Sequence, residues 1–138
     1  MRKNRRQALL VGADEARSYG RGDLAPTWAQ RHAGILSQKR GGGWWLWKPY
    51  VILQTLKDPS VPWHRGVVVY VDAGNYLHAD PRPLAERALR DSDVAAMRLK
   101  WCQEHDWTSA TTLEHLGVAG RYAIVDRPQI GAYFLLFR

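Results

Sequence analysis

The residues best placed to do chemistry lie in positions 41–74, GGGWWLWKPYVILQTLKDPSVPWHRGVVVYVDAG. There the run Gly66-Val67-Val68-Val69-Tyr70-Val71 leads directly into Asp72-Ala73-Gly74. A strand that delivers a carboxylate onto a glycine-containing turn is a common way to build a ligand or metal site. In open α/β sheets ligands bind at the carboxyl ends of the strands. A carboxylate at that point is poorly solvated unless a metal or a donor pairs with it. A plain structural turn is the competing reading of the same residues. Lys48 comes next, because it precedes Pro49, a residue suited to the first turn of a helix. A cation at a helix start works against the positive end of the dipole, so its placement calls for an anion nearby.

The other chemistry-bearing residues are weaker. Gly41-Gly42-Gly43 is either a loose turn or a place where backbone approaches something closely. Neither G-x-G-x-x-G nor a Walker lysine at the required spacing occurs, so both standard phosphate-loop signatures are missing. The tryptophans that follow read first as core. His32 suits a half-buried helix position, and His64, His78, His105 and His115 show no recognised ligand spacing, which makes them surface residues. Of these only His78, with Asp80, follows the Asp72 motif closely. Cys102 has no activating motif and reads as inert.

The elements that must position these residues follow from periodicity and punctuation. Helices are expected over residues 4–13, 28–38 (capped by Asp23 or Thr27), 49–56 and 84–90, and from a Thr108 or Ser109 cap to Leu116, where Gly117 stops the last one. Strands are expected over residues 17–20, 67–71, 94–99, 122–125 and 132–137. The turn-rich stretch Asp58-Pro59-Ser60-Val61-Pro62 leads into the second strand. The nearly unbroken apolar run 67–71 fits a strand buried on both faces of a mainly parallel sheet. Alternating strands and helices place the chain in the α/β class.

At 138 residues the chain reads as one domain with a real core. Mean hydropathy of −0.41 argues against a membrane protein, and no window approaches the roughly 18 apolar residues of a spanning helix. The basic start soon meets Asp14 and Glu15, so no signal peptide is read. A lone cysteine excludes an internal disulfide and suits a reducing cytoplasm. Net charge is +7, which suits nucleic acid, an anionic membrane surface or a phosphorylated small molecule. The basic residues are scattered, with one tight cluster at Arg2, Lys3, Arg5 and Arg6. A nucleic-acid module resting on charge and seven tryptophans is therefore weakly supported, and no dedicated nucleic-acid partner is expected.

Residues 40–50 and 70–74 carry a resemblance. Arg40-Gly41-Gly42-Gly43-Trp44-Trp45-Leu46-Trp47-Lys48-Pro49-Tyr50 and Tyr70-Val71-Asp72-Ala73-Gly74 are similar to the pattern R-G-x-G-Y-W-x-W-K-P-Y, apolar helix, Y-x-D-A-G. That pattern belongs to bacterial glycosyltransferases of the nucleotide-diphospho-sugar transferase (GT-A) superfamily, of the capsule or lipopolysaccharide type. Trp107-Thr108 and Pro128-Gln129-Ile130, ahead of an apolar strand, form a softer second block. The resemblance implies a GT-A-like (Rossmann-like) mainly parallel sheet flanked by helices. It also implies metal-assisted transfer of a sugar from a nucleotide-diphosphate sugar to a saccharide or lipid-linked acceptor. It makes Asp72 the ligand of Mn2+ or Mg2+, sets Lys48 on the donor diphosphate, and puts Trp45, Trp47, Gly74 and Gln129 around the donor. The implied location is cytoplasmic or peripheral at the inner membrane face, without a transmembrane segment.

The departures are specific. Gly74 offers no second carboxylate, and Asn75 stands where family members often carry cysteine. The resemblance leaves the catalytic base unassigned. It also predicts a single domain over residues 1–138 that is incomplete at both ends. A strand cradling the nucleoside base is expected before it and an acceptor-side region after it. The alternative reading is accordingly a truncated, non-catalytic remnant of such a domain.

Overall fold

The structure, a computed structural model, describes residues 2–61 and 66–138. The order is α1 (Arg2–Leu10), a 3-10 turn (Arg21–Asp23), α2 (Pro26–Arg31), α3 (Ala33–Leu36) and a helix-like turn α4 (Gly41–Trp44). Then come α5 (Trp47–Leu56), β1 (Val68–Val71), α6 (Arg82–Ala88) and β2 (Val94–Gln103). α7 (Glu104–Trp107), α8 (Ala110–His115), α9 (Tyr122–Val125) and β3 (Pro128–Phe137) complete the chain.

The three strands form one sheet in the order β1-β3-β2, and both pairings are antiparallel. This corrects the expected GT-A-like, mainly parallel sheet: no parallel pair occurs among the described residues. β3 lies between the other two and runs against both, with Val68 opposite Phe137 and Val71 opposite Phe134 on one side, and Val94 opposite Phe137 on the other. The valine-rich run is not a strand buried on both faces. β1 is an edge strand and all four of its residues are half-buried, which an apolar antiparallel edge satisfies equally well.

One irregularity matters for the site. On the β2 side the register passes from Ala96 opposite Leu135 to Met97 opposite Gly131, so residues 132, 133 and 134 of β3 have no partner there. Extra residues on one strand with no counterpart on its neighbour make a bulge, which bends the strand and re-aims its groups. The carbonyls of Ala132 and Tyr133 lie within this bulge.

The apolar interior is split in two. On one face of the sheet Val69 and Ala95 both stand opposite Leu136, and Ala85 of α6 and Leu89 just after it pack against them, with Phe134 alongside. Leu89 is fully buried. The second cluster, Leu24, Leu36 and Val51, lies among the N-terminal helices, with Trp28, Trp47 and Tyr50 packed against it. Trp28 and Tyr50 stack at 4.1 Å between ring centroids.

Several local expectations change. Residues 17–20 form no strand, because Arg17 instead ties Glu15, Asp58 and Ser60 together through its guanidinium. The helix expected over 28–38 is split at His32, whose Nδ1 donates to the Trp28 carbonyl at 2.8 Å. Tyr122–Val125 is one helical turn rather than a strand: Val125 N–H donates to Arg121 O and Asp126 N–H to Tyr122 O. The strands at 94–99 and 132–137 extend to Val94–Gln103 and Pro128–Phe137. The Ser109 cap is as expected, its hydroxyl accepting from Thr112 N–H, and Gly117 follows with φ +67°. His64 and Pro62 lie outside the described residues. Among the described residues no helix is long and apolar enough to cross a membrane.

Candidate ligand site at Lys48 and Asp72

The site begins in the glycine triplet. Gly41, Gly42, Gly43, Trp44 and Trp45 all have positive φ, from +52° to +102°, so the chain makes a left-handed turn immediately before α5. Glycine is needed here: a Cβ on Gly41 would lie 2.4 Å from the Trp45 ring, and one on Gly43 would lie 2.7 Å from Leu36 Cα. For Trp44 and Trp45 the left-handed region costs on the order of 1–2 kcal/mol each, which the surroundings must offset. Part of the offset is visible. Trp47 Nε1 donates to Gly41 O at 2.9 Å, and the Arg40 guanidinium sits 5.3 Å and 5.9 Å from the Trp44 and Trp45 ring centroids. Trp44 and Trp45 stay exposed, while Trp47 joins the N-terminal core.

This turn starts α5 so that Lys48 falls in its first turn and reaches the end of β1. Lys48 Nζ lies 2.8 Å from Asp72 Oδ1 and donates to the Ala132 carbonyl at 2.9 Å. The anion that a cation at a helix start calls for is therefore the Asp72 carboxylate of the same chain. The Lys48 side chain is 12 % exposed and that of Asp72 is 33 % exposed, so the pair is screened far less than a surface ion pair. The ammonium also stands 5.4 Å from the Tyr70 ring centroid.

Asp72 is fixed on several sides. Its N–H donates to Tyr133 O at 2.9 Å, its carbonyl accepts from Asn75 N–H, and the Tyr70 hydroxyl donates to Oδ1 at 2.7 Å. Burial first, then the hydrogen bond to Asp72 and its charge, push the Tyr70 phenol well above the usual tyrosine range. From α1, Asn4 Nδ2 donates to the carbonyls of Ala73 and Asn75, at 2.7 Å and 2.9 Å, and pins the turn from the other side. The β3 bulge thus supplies both carbonyls, Ala132 to the lysine and Tyr133 to the Asp72 amide.

Of the residues singled out in the sequence, the structure brings Lys48 and Asp72 together. Trp47 lines the adjacent cleft but keeps its indole N–H on Gly41. Trp45 is exposed beside Arg40. Gly74 has a negative φ and open space around it, so neither backbone nor packing demands glycine there. Gln129 stands opposite Leu99 of β2, four residues along β3 from Tyr133. Asn4 was not singled out in the sequence, and Tyr70 entered only as part of the motif, without a role, because a strand tyrosine reads as packing. Its spacing of two from Asp72 was the available signal, since residues i and i+2 of an extended chain share a face. His78 is exposed, and Asp80 is bound to Arg82 at 2.8 Å.

A cleft of about 650 Å³ opens beside the turn, lined by Trp47, Tyr70, Ala73 and Asn75 and flanked by Arg5 and Arg138. Its size falls within the roughly 300–1,000 Å³ of small-molecule sites. A divalent cation fits the residues present poorly. Mg2+ and Ca2+ take six or more oxygens, at about 2.0–2.6 Å. Here one Asp72 oxygen already holds an ammonium and a phenol, and no group of three His, Cys, Asp or Glu suited to a metal occurs among the described residues. No protein-family model, curated protein or solved structure matches the chain.

Proposed function

We propose that the Lys48–Asp72 turn is the diphosphate contact of a protein that uses nucleoside-diphosphate sugars, transferring the sugar to an acceptor hydroxyl. The observation that carries the reading is the 2.8 Å contact between Lys48 and Asp72, residues from two separate motif blocks, beside a cleft of nucleotide size. The reading rests on those residues and not on a parallel sheet. In such a transfer the acceptor oxygen bonds to the anomeric carbon as the bond from that carbon to the diphosphate breaks. The hydroxyl proton leaves to water or to the departing diphosphate. The protein's part is to hold the diphosphate and stabilise the charge that develops on it, with Lys48 as a hydrogen-bond donor to its oxygens.

Calorimetry with UDP, GDP and their sugars tests the reading. One nucleotide series is expected to bind, and Lys48→Met to weaken it. No binding of any nucleotide, with or without Mn2+, contradicts it. A second reading, nucleotide binding without transfer, is favoured by one observation: Asp72 Oδ1 is engaged as a structural contact by the Tyr70 hydroxyl and the Lys48 ammonium. Release of UDP or GDP from the matching sugar nucleotide in the presence of a saccharide acceptor separates the two.

A further inference from the structure

We infer that this site holds a diphosphate through the Lys48 ammonium without a divalent cation, with Asp72 as the residue that positions the ammonium. The inference rests on the nucleotide reading above and concerns how the same site works.

An ammonium has three N–H donors and no acceptor. The Ala132 carbonyl takes one, and Asp72 Oδ1 stands 2.8 Å away as the ion-pair partner. No further acceptor meets the ammonium among the described residues, which leaves an N–H for a phosphate oxygen. The carboxylate is held from behind: the Tyr70 hydroxyl binds the same Oδ1, and the Asp72 amide binds Tyr133 O. Each of these contacts fixes the direction in which the carboxylate presents Oδ1 to the lysine. In a metal-bridged arrangement a dication would share the Asp72 carboxylate with the ammonium, and the two cations repel. Lys48 and Asp72 together are neutral, so positive charge for the diphosphate comes from elsewhere. Arg5, next to Asn4 on α1, lines the cleft at the Ala73–Asn75 end and is in no ion pair among the described residues. The net charge of +7 acts in the same direction.

The two arrangements separate cleanly on Asp72→Asn. The asparagine oxygen still accepts from Lys48 and Tyr70, whereas the negative charge a dication needs is gone. The test is calorimetric binding of UDP and GDP to the full chain in EDTA and in Mn2+, for the wild type, Asp72→Asn and Lys48→Met, with a thermal transition recorded for each. The expected affinity is the same in both buffers within about threefold, is kept or raised in Asp72→Asn, and falls about tenfold or more in Lys48→Met. Mn2+ raising affinity beyond that margin, or binding abolished in a folded Asp72→Asn, overturns the inference and leaves the nucleotide reading standing. No binding in either buffer removes both. Should Lys48→Met lose its thermal transition, the buffer comparison and Asp72→Asn decide by themselves.

Discussion

The Tyr70 hydroxyl and the Lys48 ammonium meet on a single oxygen, Asp72 Oδ1, at 2.7 Å and 2.8 Å. Tyr70 lies two residues before Asp72 on the same strand, whereas Lys48 comes from the start of α5. The strand therefore orients the acid locally, and the helix is then docked against it by charge. The carbonyls of the β3 bulge close the arrangement, one on the Lys48 ammonium and one on the Asp72 amide, so three chain segments meet at this contact.

Removing the phenol tests that dependence. Tyr70→Phe keeps the ring and deletes one hydrogen bond to a charged acceptor, a loss of about 1.5–3 kcal/mol for such bonds. Urea denaturation should show a lowered midpoint with an unchanged slope. A midpoint equal to that of the wild type would show that the Tyr70–Asp72 bond contributes nothing.

The same phenol makes stability depend on alkaline pH. Its pKa is raised in the folded state by burial and by Asp72, so the folded chain binds this proton more tightly than the unfolded chain. The contribution is complete below about pH 10, the ordinary tyrosine value, and is lost as pH rises beyond it. Denaturation midpoints from pH 8 upward should fall more steeply for the wild type than for Tyr70→Phe.

At the acid end Asp58 behaves in the opposite sense. Hydrogen bonds from the Ser60 hydroxyl, from Arg17 and from the Ser60 amide lower its pKa to about 2. Its contribution is present above the unfolded value and disappears as pH falls towards about 2. A carboxyl-carbon NMR titration should find that midpoint, and Arg17→Met should move it upward. An Asp58 titrating at an ordinary carboxylate value would contradict the Arg17 hub.

Glycine substitutions separate the left-handed turn from the Asp72 motif. Gly43→Ala places a Cβ 2.7 Å from Leu36 Cα at φ +102° and should cost more than about 2 kcal/mol. Gly74→Ala meets open space and should change stability by no more than about 0.5 kcal/mol. Equal effects at the two positions would mean that the turn before α5 is not as described.

Part of this was legible in the sequence. Ser109 and Gly117 mark the ends of α8 because capping is local chemistry, written in two or three adjacent residues. Lys48 signalled its need for an anion for the same reason, since the dipole argument uses the helix start alone. The direction of the sheet was not legible. An apolar run such as Val67 to Val71 fits a parallel or an antiparallel neighbour, and only the pairing of β1 with β3, over sixty residues away, decides. Tyr122–Val125 misled because strand-favouring residue types say little about a four-residue segment, where a single turn of backbone bonds is enough to win. Gln129 was set on the donor by resemblance, and the sequence did not show its pairing with Leu99 across β2 and β3.

The central claim is that a nucleoside diphosphate binds at the Lys48–Asp72 contact. Amide NMR during titration with UDP and GDP tests it most directly. The account predicts saturable shifts concentrated at Lys48, Asp72, Ala73, Asn75 and the Ala132–Tyr133 bulge. Shifts confined to the basic stretch around Lys3, Arg5 and Arg6, or no saturable shifts at all, would contradict it.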